Sequence, residues 1–445
     1  AELFLRGDDL LLLTQRWSGD VPVPFPVPDV AVATDDLALD DIALDDIAEE
    51  SLADIAPEWP GMEQTTITRI TVDGGVPRVV ETLTAEGGYV SARAVDGVAR
   101  VIVRSNPQHR FPFVYPAGES GEERAEEANR EAILASELTD WIPGYERTGA
   151  DGAPVDDGLL VPCDQVHAPT EFAGFGVLSV LTVPVDGPLD PAATSSVLAP
   201  GETVYASPDS VYIATTTWMT PELADLGPQV LAENHRTSIH RFDISSSEQA
   251  TYTASGSVEG TVRDSFSFSE YEGHLRVVTT SGLWGDQTDT FVRVLREAGG
   301  ELVEVGAVGG MGRGEQVQSV RFQGDVGYVV TFRQIDPFYT LDLADPANPR
   351  IVGELKIPGF SSYLHPIGEG LVLGLGSDAD ETTGQVRGTK VSLFDVSDLA
   401  DPREIDTWIG PDGWNEIGWD THAFLWWAPE NLAVIPMQVW QNGEN

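Results

Sequence analysis

Residues 338–359 read FYTLDLADPANPRIVGELKIPG, and residues 390–408 read KVSLFDVSDLADPREIDTW. In each stretch a strand with β-branched and aromatic residues ends at an aspartate, and a Pro-containing turn leads into a second strand. Asp342 and Asp395 hold equivalent places and lie 53 residues apart. An apolar hairpin precedes each stretch, at 319–332 and at 363–376. The sequence therefore repeats a unit of four short strands about every 50 residues.

The same unit recurs less regularly through the rest of the chain. Apolar hairpins, each with a later strand pair, are predicted at 2–17 with 65–87, 88–105 with 176–201, 202–218 with 238–260, and 265–284 with 290–310. A last hairpin, at 421–440, has no strand pair after it. A four-stranded sheet cannot bury both of its faces alone, whereas sheets packed face to face around an axis can. We therefore predict an all-β chain: a β-propeller of seven or eight four-stranded blades, forming one domain over residues 1–445.

Two insertions interrupt the predicted repeat. Residues 18–64 open with a Pro-rich stretch and continue with regularly spaced pairs of aspartates. Such a segment is extended where Pro dominates and is either a short helix or a loop where the acids dominate. Residues 106–164 form the second insertion, and good helix formers predict one helix near 121–142. Ile133, Leu134 and Leu138 have helical spacing there and would form its apolar face.

The charge balance excludes some functions. The chain carries 72 acidic and 25 basic residues, for a net charge of −47. So acidic a surface repels nucleic acid and anionic membranes, and we predict no nucleic-acid partner. The even spread of the acids favours halophilic-like adaptation, in which carboxylates keep a surface hydrated at high salt, over a surface that collects divalent cations. No run of 18 apolar residues occurs, so we also predict no transmembrane segment.

Some acidic loops have the composition of calcium sites. Ca²⁺ takes six to eight oxygen ligands, which loops supply as carboxylates and backbone carbonyls. The candidate metal ligands are Asp286 and Asp289 in GDQTD, and Asp378, Asp380 and Glu381 in SDADETTG. The alternative is a solvated turn, since Asp and Gly are common turn residues. We name Ca²⁺ as a candidate cofactor on this basis and identify no catalytic residue.

The histidines and tryptophans could likewise have either a binding role or a structural role. The seven histidines are scattered, and for each the expected role is a buried, hydrogen-bonded blade residue. Tryptophans concentrate at the C-terminal end, where they are either binding platforms or blade packing residues. We expect core packing for this set: Trp408, Trp414, Trp419, Trp426, Trp427 and Trp440.

The C-terminal half also resembles a known family. It is similar to secreted prokaryotic proteins whose C-terminal β-propeller domain is distantly related to WD40 repeats. Three segments carry the resemblance: the run 336–376, which includes GELKIPGFSSYLHP, then KVSLFDVSDLADPREI (390–405), then DTHAF (420–424). His422 stands where the family tends to have a basic residue. The resemblance implies the propeller fold, export, a blade before Ala1 and strands after Asn445, but no catalytic residues.

These observations lead to a ranked set of functions. We expect an exported or cell-surface β-propeller, its signal segment removed, that acts as a non-catalytic scaffold binding a protein or carbohydrate at the cell surface. One alternative is a structural subunit of an extracellular filament or surface lattice, with partners that include copies of itself. The other is an extracellular hydrolase or lyase that acts on a polymer through carboxylates in the axial channel.

Overall fold

The computed structural model describes residues 2–17, 63–114, 122–217, 235–282, 288–333, 336–380 and 385–439. Most of the acidic insertion at 18–64 lies outside these ranges, and its last two residues already belong to a strand. The chain divides into two compact units, one of Ala1–Val166 with Phe175–Ser196 and the other of His167–Gly174 with Val197–Asn445. The single domain over residues 1–445 remains a prediction.

Paired strands make up most of the first unit. Its strands are β1 (Glu2–Arg6), β2 (Asp9–Trp17), β3 (Glu63–Asp73), β4 (Val76–Glu86), β5 (Gly88–Val95), β6 (Val98–Ser105), β7 (Gly144–Gly149), β8 (Pro154–Leu159), β9 (Val166–His167), β10 (Val177–Pro184) and β11 (Thr194–Val197). The first sheet has the order β1-β2-β3-β4-β7-β8, and the second has the order β5-β6-β10-β11-β9. The first four strands of each are the predicted four-strand unit, and both predicted pairings across the insertions are confirmed.

The second insertion is more ordered than expected. Its helix is confirmed as α1 (Glu122–Leu134), but a break precedes a short second helix, α2 (Leu138–Trp141). The predicted apolar face is wrong, because Ile133, Leu134 and Leu138 are all exposed. The strands β7 and β8 continue the first sheet beyond β4. Neither of the helices described here could cross a membrane, being too short and too polar.

In the second unit the repeat is regular. Its strands are β12 (Thr203–Ala206), β13 (Ser210–Thr217), β14 (Arg236–Asp243), β15 (Thr251–Glu259), β16 (Phe268–Tyr271), β17 (His274–Ser281), β18 (Asp289–Ala298), β19 (Glu301–Met311), β20 (Gln316–Gln323), β21 (Val326–Phe332), β22 (Asp336–Asp342), β23 (Arg350–Ile357), β24 (Phe360–Gly368), β25 (Leu371–Ala379), β26 (Val386–Asp395) and β27 (Arg403–Ile409). Each set of four pairs antiparallel in chain order. These are the four units that the sequence predicts between residues 202 and 408.

Short elements complete the chain. The C-terminal strands are β28 (Gly413–Asn415), β29 (Leu425–Trp427), β30 (Leu432–Val434) and β31 (Met437–Val439). The predicted hairpin at 421–440 is confirmed only for β29 and β30, because β31 pairs instead with β28. Single turns of 3-10 helix lie at Pro107–Arg110, Cys163–Gln165, Pro191–Ala193, Ser265–Ser267, Glu416–Gly418, Thr421–Ala423 and Ala428–Glu430.

The middle strands are apolar on both faces because sheets cover them from both sides. Val330 of β21 belongs to the apolar cluster that contains Phe394 of the next sheet. Its neighbour Val329 points the other way and packs with Val292 of the preceding sheet. Since successive side chains of a strand point to opposite faces, one strand serves two interfaces. This is the face-to-face packing expected for propeller blades.

The aspartate of the repeat has a local structural role. Oδ1 of Asp342 accepts a hydrogen bond from the backbone N–H of Ala344 at 3.1 Å, and Oδ1 of Asp395 accepts one from Ser397 at 3.0 Å. Strand β14 ends in the same way at Asp243. When an Asp carboxylate accepts a hydrogen bond from the backbone N–H two residues ahead, the side chain takes the place of a backbone carbonyl and starts a turn. The sequence repeat therefore marks the same turn in three sheets.

The tryptophans differ from expectation. Trp426 packs against the C-terminal apolar cluster, as predicted. Its neighbour Trp427 is 53% exposed and Trp419 is 86% exposed. Trp408 and Trp414 are also exposed, so core packing is wrong for these four residues. Trp440 lies outside the described residues.

Candidate functional site

Two segments singled out in the sequence meet in the second unit. Tyr363 and His365 lie in β24, within the run SSYLHP, and Phe424 ends the DTHAF segment. The ring centroid of Phe424 is 5.7 Å from that of Tyr363 and 5.0 Å from that of His365. Tyr363 Oη lies 3.2 Å from His365 Nδ1, within hydrogen-bond distance. The conspicuous sequence segments thus form one aromatic group.

Two further residues complete this group from neighbouring elements. Phe266, in the 3-10 turn that precedes β16, meets Tyr363 edge to face at 5.6 Å. The guanidinium carbon of Arg321, in β20, lies 5.4 Å from the centroid of the Phe266 ring. Such a cation over a ring is held by the ring quadrupole. We call Phe266, Arg321, Tyr363, His365 and Phe424 the Arg321 cluster; all five side chains are partly exposed.

The first strands of neighbouring sheets bring these residues together. β20 and β24 each form one edge of their sheet and lie beside one another. Ser319 of β20 donates a hydrogen bond to the carbonyl of Ser361 at 2.7 Å, which links the two edges. Within β24, Leu364 is buried while Tyr363 and His365 face the other way, as strand alternation requires. The sheets thus supply a fixed base for the cluster.

The cluster carries one positive charge. Within the ranges that the structure describes, Arg321 forms no hydrogen bond and no ion pair. Burial lowers the pKa of His365, and the charge of Arg321 lowers it further, so that the imidazole is neutral at pH 7. Burial raises the pKa of the Tyr363 phenol, although Arg321 opposes that shift. An uncompensated half-buried cation is notable in a chain whose net charge is −47.

This arrangement suits recognition of an anion attached to a ring. A guanidinium donates several N–H groups in a planar fork that matches a carboxylate. If Nδ1 of His365 accepts from the Tyr363 hydroxyl, then Nε2–H is free to donate, and in the other tautomer the phenolic O–H is free. The rings of Tyr363 and Phe424 offer apolar surface. The cluster can therefore hold charge, hydroxyl groups and a ring face together.

The predicted metal ligands do not converge in the described chain. Asp289 accepts hydrogen bonds from the backbone N–H groups of Thr290 and Gly310, and Asp380 pairs with Arg387. Asp378 lies in β25. Asp286 and Glu381 fall outside the described residues. Where side chains are described, no three His, Cys, Asp or Glu groups are arranged to hold a metal ion, and the calcium sites remain a prediction.

A groove also lies in the first unit. Its volume is about 470 Å³, and Arg16, Tyr145 and Asp157 are among its lining residues. At its base Arg110 binds Glu86 at 2.6 Å and donates to two backbone carbonyls of the second insertion. The charges at its base are thus matched internally. Sequence reasoning missed this groove because the β7–β8 hairpin that walls it has no apolar alternation.

Comparison with known proteins agrees with this architecture. The family model described as "Beta propeller domain" matches residues 1–445. The chain belongs to the β-propeller domain family. An uncharacterised protein of Archaeoglobus fulgidus is 45% identical over 211 residues, which are 47% of this chain and 31% of that protein. An uncharacterised protein of Methanocaldococcus jannaschii is 41% identical over 202 residues, 45% of this chain and 30% of that protein.

The propeller chain thus covers about a third of the length of these two relatives. The all-β propeller class predicted from the repeat is confirmed by the family match and by the four-stranded sheets. Export and the number of blades remain predictions. Of the Arg321 cluster, the sequence marked Tyr363, His365 and Phe424 through their segments. It carried no signal for Phe266 or Arg321, whose positions depend on contacts between sheets.

Proposed function

We propose that this β-propeller is an exported or cell-surface binding scaffold and that the Arg321 cluster is its recognition surface. The observation that carries the proposal is the half-buried Arg321, which stands over the Phe266 ring and has no anionic partner in the described ranges. Removing a cation partly from water costs free energy unless a counter-charge is supplied. A bound ligand supplies it.

The fold supports this role in a second way. The cluster is assembled from β20, β24, a turn before β16 and the segment before β29, each anchored in a different sheet. A site on such a base loses little side-chain freedom when a ligand binds, since packing has already restricted the rings. In this proposal the ligand binds to side chains that packing already holds in place, and the protein does not need to close around it.

A binding test on intact cells addresses this proposal. Labelled protein is mixed with cells of the source organism, and the fraction that sediments with them is measured. We expect saturable binding that the double variant Arg321→Gln, Tyr363→Phe loses, because it removes the cation and the hydroxyl but keeps the rings. Arg403→Gln is the control, since it changes the net charge equally at the exposed first residue of β27. Unchanged binding by the double variant would contradict the proposal.

One observation favours a second candidate function, a subunit of an extracellular filament or lattice. The outer strand β27 exposes three large apolar side chains: Ile405 is 52% exposed, Trp408 50% and Ile409 54%. Apolar residues grouped on a sheet edge are a common basis of association. Sedimentation velocity at rising concentration tests this, with Ile405→Ser, Trp408→Ser as the variant. Assembly by wild type and not by the variant is expected; a monomer throughout rules the candidate out.

The hydrolase or lyase alternative requires carboxylates in the axial channel, and a carboxylate beside the Arg321 cluster is a candidate for one of them. Asp264 is close in sequence to Phe266, and burial raises the pKa of its carboxyl group. Its Oδ1 accepts a hydrogen bond from the backbone N–H of Phe266 at 2.9 Å. The carboxylate thus caps the turn that positions Phe266, which is a positioning role in the binding site.

A further inference from the structure

We infer that the Arg321 cluster recognises the carboxylate of an acidic saccharide, with the carboxylate on Arg321 and the sugar ring against Tyr363 and Phe424. The inference rests on the proposed function and names its ligand class. The described contacts favour this class in three respects: the amount of charge, the geometry of the donors, and the surface beside them.

The amount of charge favours a monoanion. Arg321 is the charged group of the cluster, and the neutral His365 adds no second charge at pH 7. A carboxylate matches a single guanidinium. A phosphate monoester, which carries about −1.5 to −2 at pH 7, would leave negative charge unbalanced in a chain with a net charge of −47. The overall field of the protein therefore disfavours the more highly charged ligand.

The donor geometry favours a planar anion. The guanidinium carbon of Arg321 lies over the Phe266 ring, 5.4 Å from its centroid, and within the described residues its N–H groups donate no hydrogen bond. Edge-on donation by two parallel N–H groups is the bidentate arrangement that arginine makes with carboxylates. A lysine at this position would keep the charge but lose the fork.

The surface beside the cation favours a sugar ring over an isolated carboxylate. The ring centroids of Tyr363 and Phe424 lie 5.7 Å apart with the ring planes at 58°, and both residues are partly exposed, so they offer adjoining apolar surface. The C–H faces of a sugar pack on aromatic rings, and its hydroxyls need donors and acceptors. The Tyr363 hydroxyl and the His365 imidazole provide these beside the same surface.

Titration calorimetry with trigalacturonate tests the inference. A neutral galactose trisaccharide and a sulfated one serve as competing ligand classes. At about 1 M NaCl the Debye length is about 3 Å, so long-range repulsion by the acidic surface is screened. We expect wild type to bind trigalacturonate at least about 10-fold more tightly than either competitor, and Arg321→Gln to weaken binding by about 10- to 100-fold, the range for a charge-assisted hydrogen bond.

The variants and controls separate the outcomes. Arg321→Lys is expected to retain part of the affinity and Arg403→Gln all of it, with circular dichroism melting curves showing that each variant folds. Equal affinity for the neutral trisaccharide, tighter binding of the sulfated one, no binding at all, or an unaffected Arg321→Gln would each overturn the carboxylate inference. If cell binding still depends on Arg321 and Tyr363 in that event, the proposed function stands and only the ligand class is wrong.

Discussion

The rings of His365 and Phe424 lie 5.0 Å apart, edge to face, although 59 positions separate them in the chain. One ring belongs to the first strand of a complete sheet, and the other directly follows the 3-10 turn Thr421–Ala423 among the C-terminal elements. Phe424 also packs in the apolar cluster around Ile417, Leu373 and Leu375. Phe424 therefore has two roles: it forms part of the candidate site, and it helps to hold residues 413–439 against the preceding sheet.

Replacing Phe424 tests that joint role. Phe424→Ala removes the ring contacts with Tyr363 and His365 and part of the apolar cluster, so we expect unfolding free energy to fall by about 1–3 kcal/mol. Trp419→Ala is a matched control, because Trp419 is 86% exposed; its change should stay within about 0.5 kcal/mol. Urea unfolding followed by circular dichroism measures both. An equal decrease in unfolding free energy in the two variants would show that the contacts of the Phe424 ring do not stabilise the fold.

His240 predicts a pH dependence of stability. It is 1% exposed, and in the described part of the chain neither ring nitrogen has a hydrogen-bond partner, contrary to the expectation for the histidines. Burial lowers its pKa from 6.5 to about 4. Because the unfolded chain takes up this proton first, the folded state loses stability as the pH falls from about 6.5 to about 4. The loss should reach about 3 kcal/mol and then level off.

The His240 contribution is isolated with a neutral variant. Many carboxylates titrate in the same range, so the quantity to measure is the difference in unfolding free energy between wild type and His240→Gln at each pH. We expect that difference to favour wild type less and less below pH about 6.5. A difference that stays constant from pH 8 to pH 4 would show that His240 is not held neutral by burial.

Gly353 predicts a steric effect between sheets. A Cβ atom at Gly353 would lie 2.2 Å from the carbonyl oxygen of Leu399 and 2.6 Å from Oγ1 of Thr340. The Leu399 carbonyl cannot easily move, since it already accepts a hydrogen bond from Thr340. Gly353→Ala should therefore cost about 1–3 kcal/mol of unfolding free energy. Gly368→Ala is the control, because nothing lies within 4 Å of its Cβ position; thermal melting should show no loss there.

The sequence was sufficient wherever structure depends on neighbours in the chain. The aspartates at 342 and 395 predicted their turns because each carboxylate bonds a backbone N–H only two residues ahead. The apolar hairpins predicted the middle strands for the same local reason. The hairpin β7–β8 was missed, because none of the residues in its two strands is buried and they carry little apolar alternation.

The sequence was not sufficient where a side chain contacts residues that are distant in the chain. Asp380 looked like a metal ligand because its loop is acidic, but its charge is met by Arg387, and loop composition does not show which cation a carboxylate will face. Exposure of Trp408, Trp419 and Trp427 was missed in the same way, since the sequence does not show whether an aromatic side chain faces a neighbouring sheet or solvent. Which of these occurs depends on what packs there.

The sequence by itself determined the repeat, the four-stranded units and the propeller class, because turns and alternation are encoded within a few residues. It also marked the segments that carry Tyr363, His365 and Phe424. Only the tertiary structure placed Arg321 and Phe266 beside them, since edge strands of different sheets meet through packing and not through sequence proximity. The charge of Arg321, which has no ion-pair partner within the described residues, gives the cluster its proposed chemistry only through that packed arrangement.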